Sequence, residues 1–137
     1  MSFKFSRRSR AKLDTCDTAL IAVAKGTLAL NIMDITVVEG HRDQLKQTQY
    51  YNDGASKVQW PNGKHNQLPS EAMDLAPYID GSISWNKLHC CVLAGMVLAV
   101  AAGLGVRLRW GGNWDMDTEP VTDQDFQDLV HFELVAR

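Results

Sequence analysis

The chain of 137 residues lacks a strong charge of either sign, a rich supply of cysteine and a long uninterrupted apolar run. A formal net charge of −2 offers no dominant attraction to nucleic acid, which argues against a nucleic-acid-binding protein. Three cysteines, two of them adjacent, do not make a disulfide framework, so we expect reduced thiols and synthesis in a reducing cytoplasm. The hydrophobic content of 45% still allows a real core, and the length favours a single domain.

Targeting and membrane-spanning segments are also missing. The N-terminus is basic, but Asp14 and Asp17 interrupt the region where a secretory signal would need its apolar run. The most apolar segment, residues 90–106, falls short of the roughly 18–20 apolar residues that a membrane span requires. We therefore predict a buried helix there, with no signal peptide and no stable membrane insertion.

The hydrophobic periodicity predicts an α+β domain in which a small antiparallel sheet packs on helices. Helices are predicted at three segments, namely residues 9–30, residues 43–52, and a long buried stretch from Ser84 as N-cap to Gly103 or Gly105. Strands are predicted at residues 35–38, 73–76, 106–110 and 131–135, the second of them ended by Pro77. Residues 55–70 and 111–125 lack hydrophobic periodicity, so we predict long loops there. Long loops in small domains often carry function.

Three side chains lie where a loop meets a predicted strand: His65, Asp74 and His131. A catalytic zinc site needs about three His, Cys or carboxylate ligands and one open position. A rigid sheet can hold ligands at such junctions, so these three are candidate metal ligands. Asp128 precedes His131 by three positions, and in a tight turn or short helix both would share one face. Such a carboxylate could take a proton from an attacking water and return it to a leaving amine.

Other residues allow two interpretations. Glu133 alternates with His131 along the last strand, shares its face and could support it by a hydrogen bond. Trp110 and Trp114 could form a wall for a substrate or pack against the helices. The acidic loop that ends at Asp125 lacks the ligand register of an EF-hand, which favours a solvated face over a calcium site.

Four segments in the same order resemble metallopeptidases of the D-alanyl-D-alanine carboxypeptidase superfamily, the M15 family. They are Val38-Glu39-Gly40-His41-Arg42 with Gln47 and Tyr51, the stretch from Lys64-His65 through Asp74 to Tyr78, Leu108-Arg109-Trp110-Gly111-Gly112-Asn113-Trp114-Asp115, and Asp128-Leu129-Val130-His131-Phe132-Glu133-Leu134. The opening Ser2-Phe3-Lys4-Phe5 is similar to that of single-domain endolysins from phages of Gram-negative bacteria. Together these segments most resemble the phage L-alanyl-D-glutamate peptidases.

The resemblance implies a fold of the D-Ala-D-Ala carboxypeptidase/Hedgehog-like architecture and a set of functional residues. It implies Zn²⁺ as cofactor, bound by His65, Asp74 and His131. It also implies Asp128 as catalytic acid/base and Arg42 facing the substrate and the developing oxyanion. Further substrate contacts are expected from Gln47 and Tyr78 in the motifs, with Trp110 and Trp114 as candidate wall residues.

The implied activity is zinc-dependent hydrolysis of the L-Ala–D-Glu bond of peptidoglycan stem peptides, leading to host lysis. A D,D-carboxypeptidase or D-Ala-D-Ala dipeptidase would share the ligands, and a non-catalytic zinc-stabilised binding domain would share the fold. We expect residues 1–137 to be one catalytic domain without a separate wall-binding domain, acting as a monomer. The resemblance implies synthesis in the host cytoplasm, a holin-type partner for export and action on the periplasmic cell wall.

Overall fold

The computed structural model describes residues 2–136 as helices packed on one antiparallel sheet, which confirms the expected α+β class. The helices are α1 (Arg7–Leu13), α2 (Thr18–Ala29), α3 (Gln44–Asn52) and α4 (Lys87–Gly103). The strands are β1 (Ile35–Glu39), β2 (Ala72–Ile79), β3 (Ser82–Ile83), β4 (Leu108–Gly111) and β5 (Asp128–Leu134). A single 3₁₀ turn, Lys64–Asn66, lies in the long loop between α3 and β2.

The sheet brings distant parts of the chain side by side. Its strand order is β1-β2-β5-β4, with the short β3 paired to β2, and every pair is antiparallel. In the β2–β5 pair, Asp74 lies directly opposite His131. Residues 57 positions apart in sequence thus become neighbours on a rigid support.

The core lies between the helices and one face of the sheet. Helices α2 and α4 pack on each other, and α4 also packs on β2, β4 and β5. Leu20 and Val97 from these helices meet Met73 and Phe132 from the central strands, and all four are fully buried. Within residues 2–136, no helix is both long enough and apolar enough to cross a membrane.

The prediction of one helix over residues 9–30 is wrong, because residues 14–17 leave the helical conformation and separate α1 from α2. The carboxylate of Asp17 caps α2 by accepting from the Ala19 amide at 2.8 Å. At the break, the Ser70 amide donates to the Thr15 carbonyl and the Asp17 amide donates to the Ser70 carbonyl, both at 2.8 Å. This pairing anchors the end of the long loop beside the start of β2.

Several predicted boundaries are also wrong. Strand β5 begins at Asp128 rather than at residue 131, because Asp128 pairs with Gly111 across the sheet, and β4 covers Leu108–Gly111 rather than 106–110. Strand β2 continues through Pro77 to Ile79. Strand β5 pairs with β2 only over Ala72–Asp74, so the missing N–H of Pro77 removes no hydrogen bond between β2 and β5. Helix α4 begins two residues later than expected, with Asn86 as its N-cap rather than Ser84. Ser84 instead accepts a hydrogen bond from the Asn86 amide at 3.3 Å.

Candidate functional site

Three predicted ligands converge at one end of the sheet: His65 from the 3₁₀ turn, Asp74 from β2 and His131 from β5. His65 Nε2 lies 3.1 Å from Asp74 Oδ1 and 3.2 Å from His131 Nδ1. The third distance, from His131 Nδ1 to Asp74 Oδ1, is 3.3 Å. All three residues are buried, and one donor atom from each could hold a metal ion.

The outer nitrogen of each imidazole is bound to an acceptor that fixes the ring. His65 Nδ1 donates to the Gly40 carbonyl at 2.7 Å, and His131 Nε2 donates to Glu133 Oε1 at 2.8 Å. In the neutral imidazole, the proton therefore lies on the outer nitrogen and the lone pair points inward. Position 40 must be glycine because the backbone there lies close to the end of α1, where a Cβ would collide with the Lys12 carbonyl.

The inward-facing donors fit a divalent cation. Two imidazole lone pairs and a carboxylate oxygen crowd within 3.3 Å of one another, and such a group needs a cation or bound protons between its members. Two nitrogens and one oxygen are also the three-ligand set of several catalytic zinc sites, which keep a fourth position open. The residues present thus match both the charge and the donor chemistry of a metal centre.

When no metal ion is bound, protons supply the positive charge at the centre of the site. Burial acts to lower the pKa of His131, but hydrogen bonds to Asp74 and Glu133 outweigh it and raise that pKa to about 10. Burial acts to raise the pKa of Asp74, but the two imidazoles hold it well below its usual range. For Glu133, hydrogen bonds from His131 and Arg109 overcome burial and lower the pKa to about 2. The site therefore favours positive charge at its centre.

Asp128 lies beside the cluster because β5 bulges. Trp110 pairs with Phe132, yet the next residue of β4, Gly111, pairs with Asp128, so three residues of β5 bulge out between the two pairs. The bulge brings Asp128 Oδ2 to 4.0 Å from His131 Nδ1. The shared face predicted for Asp128 and His131 is thus present, but on a bulged strand rather than in a turn or short helix. Gly111 permits the close approach, since a Cβ there would collide with the Asp128 carbonyl.

Asp128 combines partial exposure with a perturbed acidity. Its side chain is 35% exposed and faces the cleft beside the cluster. Burial raises the pKa of Asp128, and the negative charge of Asp74 raises it further. An accessible carboxylate of this kind can exchange a proton with a molecule in the cleft.

Arg42 also lies next to the cluster. Its Nη2 lies 3.8 Å from Asp74 Oδ2, and its guanidinium carbon lies 4.6 Å from the centre of the Tyr50 ring. Nη1 donates to Gln47 Oε1 at 3.1 Å, and Glu39 forms an ion pair with Nε at 3.5 Å. Arg42 is thus a buried, rigidly held cation next to the metal-binding group.

Gln47 fixes this arginine to the long loop. Its Nε2 donates to Ser56 Oγ at 3.0 Å and to the Val58 carbonyl at 2.6 Å. Its Oε1 accepts from Arg42 and from Asn66 Nδ2, the latter at 3.1 Å. Sequence reasoning missed Asn66, although its position next to His65 was a usable signal. Gln47 faces the cleft with its amide engaged by protein groups, and its contact with substrate stays a prediction.

The cluster lies at the base of a cleft of about 480 Å³. Trp114 forms part of its wall, with its ring centre 5.5 Å from that of His131. Phe126 extends this wall by stacking on Trp114 at 6.1 Å and 16° between planes. Sequence reasoning missed Phe126, because nothing in its local sequence links it to Trp114.

Several other candidates lie away from the cleft. Trp110 is buried in the core, and its Nε1 donates to the Leu129 carbonyl at 2.9 Å, so of its two interpretations packing is the observed one. Tyr78 lines a separate groove next to the N-terminal helix and donates to the Gly81 carbonyl at 3.0 Å. The structure therefore does not bring Trp110 and Tyr78 to the site. The three carboxylates of Asp115, Asp117 and Asp123 group together in the acidic loop and are exposed.

Comparisons with known proteins point to one family. The family model for the phage L-alanyl-D-glutamate peptidase matches residues 1–135. A curated relative, the L-alanyl-D-glutamate peptidase of Escherichia phage T5, is 34% identical over 138 residues, covering 98% of this chain and all of the relative. The solved structure of the Serratia marcescens L-Ala D-Glu endopeptidase ChiX superposes with a TM-score of 0.78 at 23% identity. That match covers 96% of this chain and 90% of the other, and it shows a shared fold.

Proposed function

The chain belongs to the family of phage L-alanyl-D-glutamate peptidases, and from that membership we propose that it is a zinc-dependent endopeptidase of peptidoglycan. Its substrate is the stem peptide, and the bond hydrolysed is the amide between L-Ala and D-Glu. The observation that carries the proposal is the buried group of His65, Asp74 and His131 with Asp128 beside it at the base of a cleft.

His65, Asp74 and His131 are the proposed ligands of the zinc ion. The fixed tautomers of the two histidines support this assignment, because each points an unprotonated nitrogen toward Asp74 in the neutral state. A zinc ion held there would supply Lewis acidity, which polarises the scissile carbonyl and makes the attacking water more acidic. Glu133 holds His131 in place and keeps its outer nitrogen protonated.

Asp128 is the proposed general base and then general acid. Its carboxylate takes a proton from the attacking water and delivers it to the amine of D-Glu as the amide bond breaks. Its position beside the ligands and its partial exposure support both steps, since substrate and water must reach it.

Arg42 is the proposed electrostatic partner of the developing oxyanion. It is held by Gln47, Tyr50 and Glu39, so it need not reorganise as negative charge builds on the substrate oxygen. Such a preorganised donor contributes on the order of a few kcal/mol to transition-state stabilisation. Trp114 gives the peptide an apolar wall next to His131.

The wider setting completes the proposal. The described residues share one main hydrophobic core, which supports a single catalytic domain. We place its action at the periplasmic cell wall of the host after synthesis in the cytoplasm, with a holin-type partner for passage across the inner membrane. The protein works as a monomer in this account.

Digestion of purified peptidoglycan followed by mass spectrometry tests the proposed function. We expect fragments with a new N-terminal D-Glu, and no such fragments after treatment with a chelator. Release of free D-Ala from stem pentapeptides would instead indicate a D,D-carboxypeptidase or D-Ala-D-Ala dipeptidase. Zinc binding without any cleavage would indicate a zinc-stabilised binding domain.

A further inference from the structure

In the described part of the chain, one lysine of the cleft has no carboxylate partner. Among residues 2–136, four lysine and arginine side chains line it: Arg42, Lys57, Lys64 and Arg109. Three of them form ion pairs, with Glu39 and Asp74, with Glu71, and with Glu133 respectively. Lys57 has no carboxylate partner within 4.0 Å in the described part of the chain, so its positive charge is available to a ligand.

Lys57 lies at the end of an aromatic row that starts at the metal-binding group. Trp114 lies against His131, Phe126 stacks on Trp114, and Lys57 Nζ lies 5.5 Å from the centre of the Phe126 ring. This contact is within cation–π range and holds the ammonium over the apolar wall. A peptide lying along the row, with its scissile amide at the ligands, would extend toward this charge.

The peptide named in the proposed function carries the matching group. In a stem peptide D-Glu is linked onward through its γ-carboxyl, which leaves its α-carboxylate free, and a following diamino acid that is also a dicarboxylic acid adds another. An exposed lysine gains little from an ion pair in water, but a substrate that covers the cleft removes water and strengthens the attraction. Charge complementarity of this kind selects between ligands of the same shape.

We propose that Lys57 is a specificity-determining residue that binds a free carboxylate of the stem peptide. This inference rests on the proposed function, because it assigns a subsite to that substrate. It also predicts that the enzyme discriminates against peptides in which the carboxylates are amidated, a neutral change of almost the same size.

Four synthetic peptides and three variants test this subsite. The peptides contain N-acylated L-Ala, γ-linked D-Glu and a diamino acid. The free carboxyl groups of D-Glu and of the diamino acid are both left unmodified, amidated one at a time, or both amidated. The variants are Lys57→Met, which keeps the stem over Phe126, Lys57→Arg, which keeps the charge, and Lys64→Met, which removes a cleft charge already paired with Glu71. The measured quantity is kcat/KM from the rate of appearance of the D-Glu fragment.

We expect Lys57→Met to lose about tenfold in kcat/KM on the free-carboxylate peptide and nothing on the doubly amidated one. The two singly amidated peptides then identify which carboxylate Lys57 binds. Lys57→Arg and Lys64→Met should keep the wild-type ratio between the acidic and the doubly amidated peptide.

An equal loss on all four peptides, no loss on any, or the same selective loss in Lys64→Met would overturn the assignment of Lys57. These results leave the proposed function standing, since wild-type protein would still cleave the peptides. If wild-type protein cleaved none of the four, the proposed function would itself be overturned, and the subsite with it.

Discussion

Asp74 and His131 face each other as paired residues of two antiparallel strands, with 3.3 Å between Asp74 Oδ1 and His131 Nδ1. The pairing that builds the sheet therefore also builds two-thirds of the candidate metal centre. His65 completes it from the long loop, whose end Ser70 anchors to the segment between α1 and α2. Metal binding should consequently stabilise the same contacts that hold β2, β5 and the loop together.

Removal of the metal should lower the melting temperature of the wild-type protein. A ligand that binds the folded state at a hundredfold excess over its Kd adds about 2.7 kcal/mol of stability. Differential scanning fluorimetry with and without chelator measures the shift, and added zinc should reverse it. His89→Ala is the matched control, because His89 lies on α4 beside Ser84 and outside the cluster. A chelator shift equal to zero in the wild type would contradict a bound metal.

Asp128→Asn should retain the metal and lose most of the activity. The substitution keeps the size of the side chain but removes the base, which typically contributes on the order of 10²–10⁴ in rate. Metal content and kcat on stem peptide are measured on the same preparation. Asp125→Asn, an exposed aspartate in the preceding loop, serves as the control and should behave as wild type. Full turnover by Asp128→Asn would remove Asp128 from the proposed role.

Metal binding at neutral pH should release protons. In the metal-free site the pKa of His131 is raised to about 10, so this histidine is protonated at pH 7 and must lose its proton to bind a cation. The apparent affinity should therefore rise as the pH increases toward 10. Calorimetric titrations in buffers of different ionisation enthalpy count the released protons. Binding without proton release would show that the imidazole is already neutral.

The same raised pKa sets the pH dependence of the metal-free fold. Protonated His131 is stabilised in the folded state. Its contribution to the free energy of unfolding is therefore complete below about 6.5, the pKa of the unfolded histidine, and disappears as the pH rises through about 10. Urea unfolding of chelated protein across this range should show a falling free energy of unfolding. In His131→Ala the fall should be absent; an equal fall in that variant would assign it to other groups.

Glu133→Gln should weaken metal binding without removing a ligand. Glu133 holds His131 through Oε1, and Arg109 donates to its Oε2 at 2.8 Å. Loss of such a supporting carboxylate typically costs about 10–100-fold in metal affinity. Competition with a chromogenic chelator gives the affinity, and Glu119→Gln in the acidic loop provides an exposed control. Wild-type affinity in Glu133→Gln would show that the ring needs no such support.

Local sequence predicted the elements that depend on near neighbours. The strand alternation placed Glu133 on the same face as His131, and the polar helix after Asp43 begins and ends close to the predicted bounds. These inferences need only periodicity and caps. The predicted convergence of His65, Asp74 and His131 is present, but Asp74 and His131 lie within β2 and β5 and His65 lies in the 3₁₀ turn, rather than at junctions between a loop and a strand.

Features set by distant residues were not predictable in this way. The break between α1 and α2 depends on pairing with Ser70, and the bulge beside Asp128 depends on the approach of Gly111 across the sheet. The aromatic row likewise joins two residues of the loop between β4 and β5, Trp114 and Phe126, to His131 on β5. Each is a contact whose energy appears only once the chain has folded, so no local pattern encodes it.

Stoichiometric reconstitution with zinc decides whether the group of His65, Asp74 and His131 is a catalytic metal centre. Chelated protein is titrated with zinc while cleavage of the L-Ala–D-Glu bond in stem peptide is followed by mass spectrometry. We expect no cleavage without metal, a linear rise with added zinc and a plateau at one ion per chain, with no recovery in Asp74→Asn. Cleavage of this bond by the fully chelated protein would contradict this expectation.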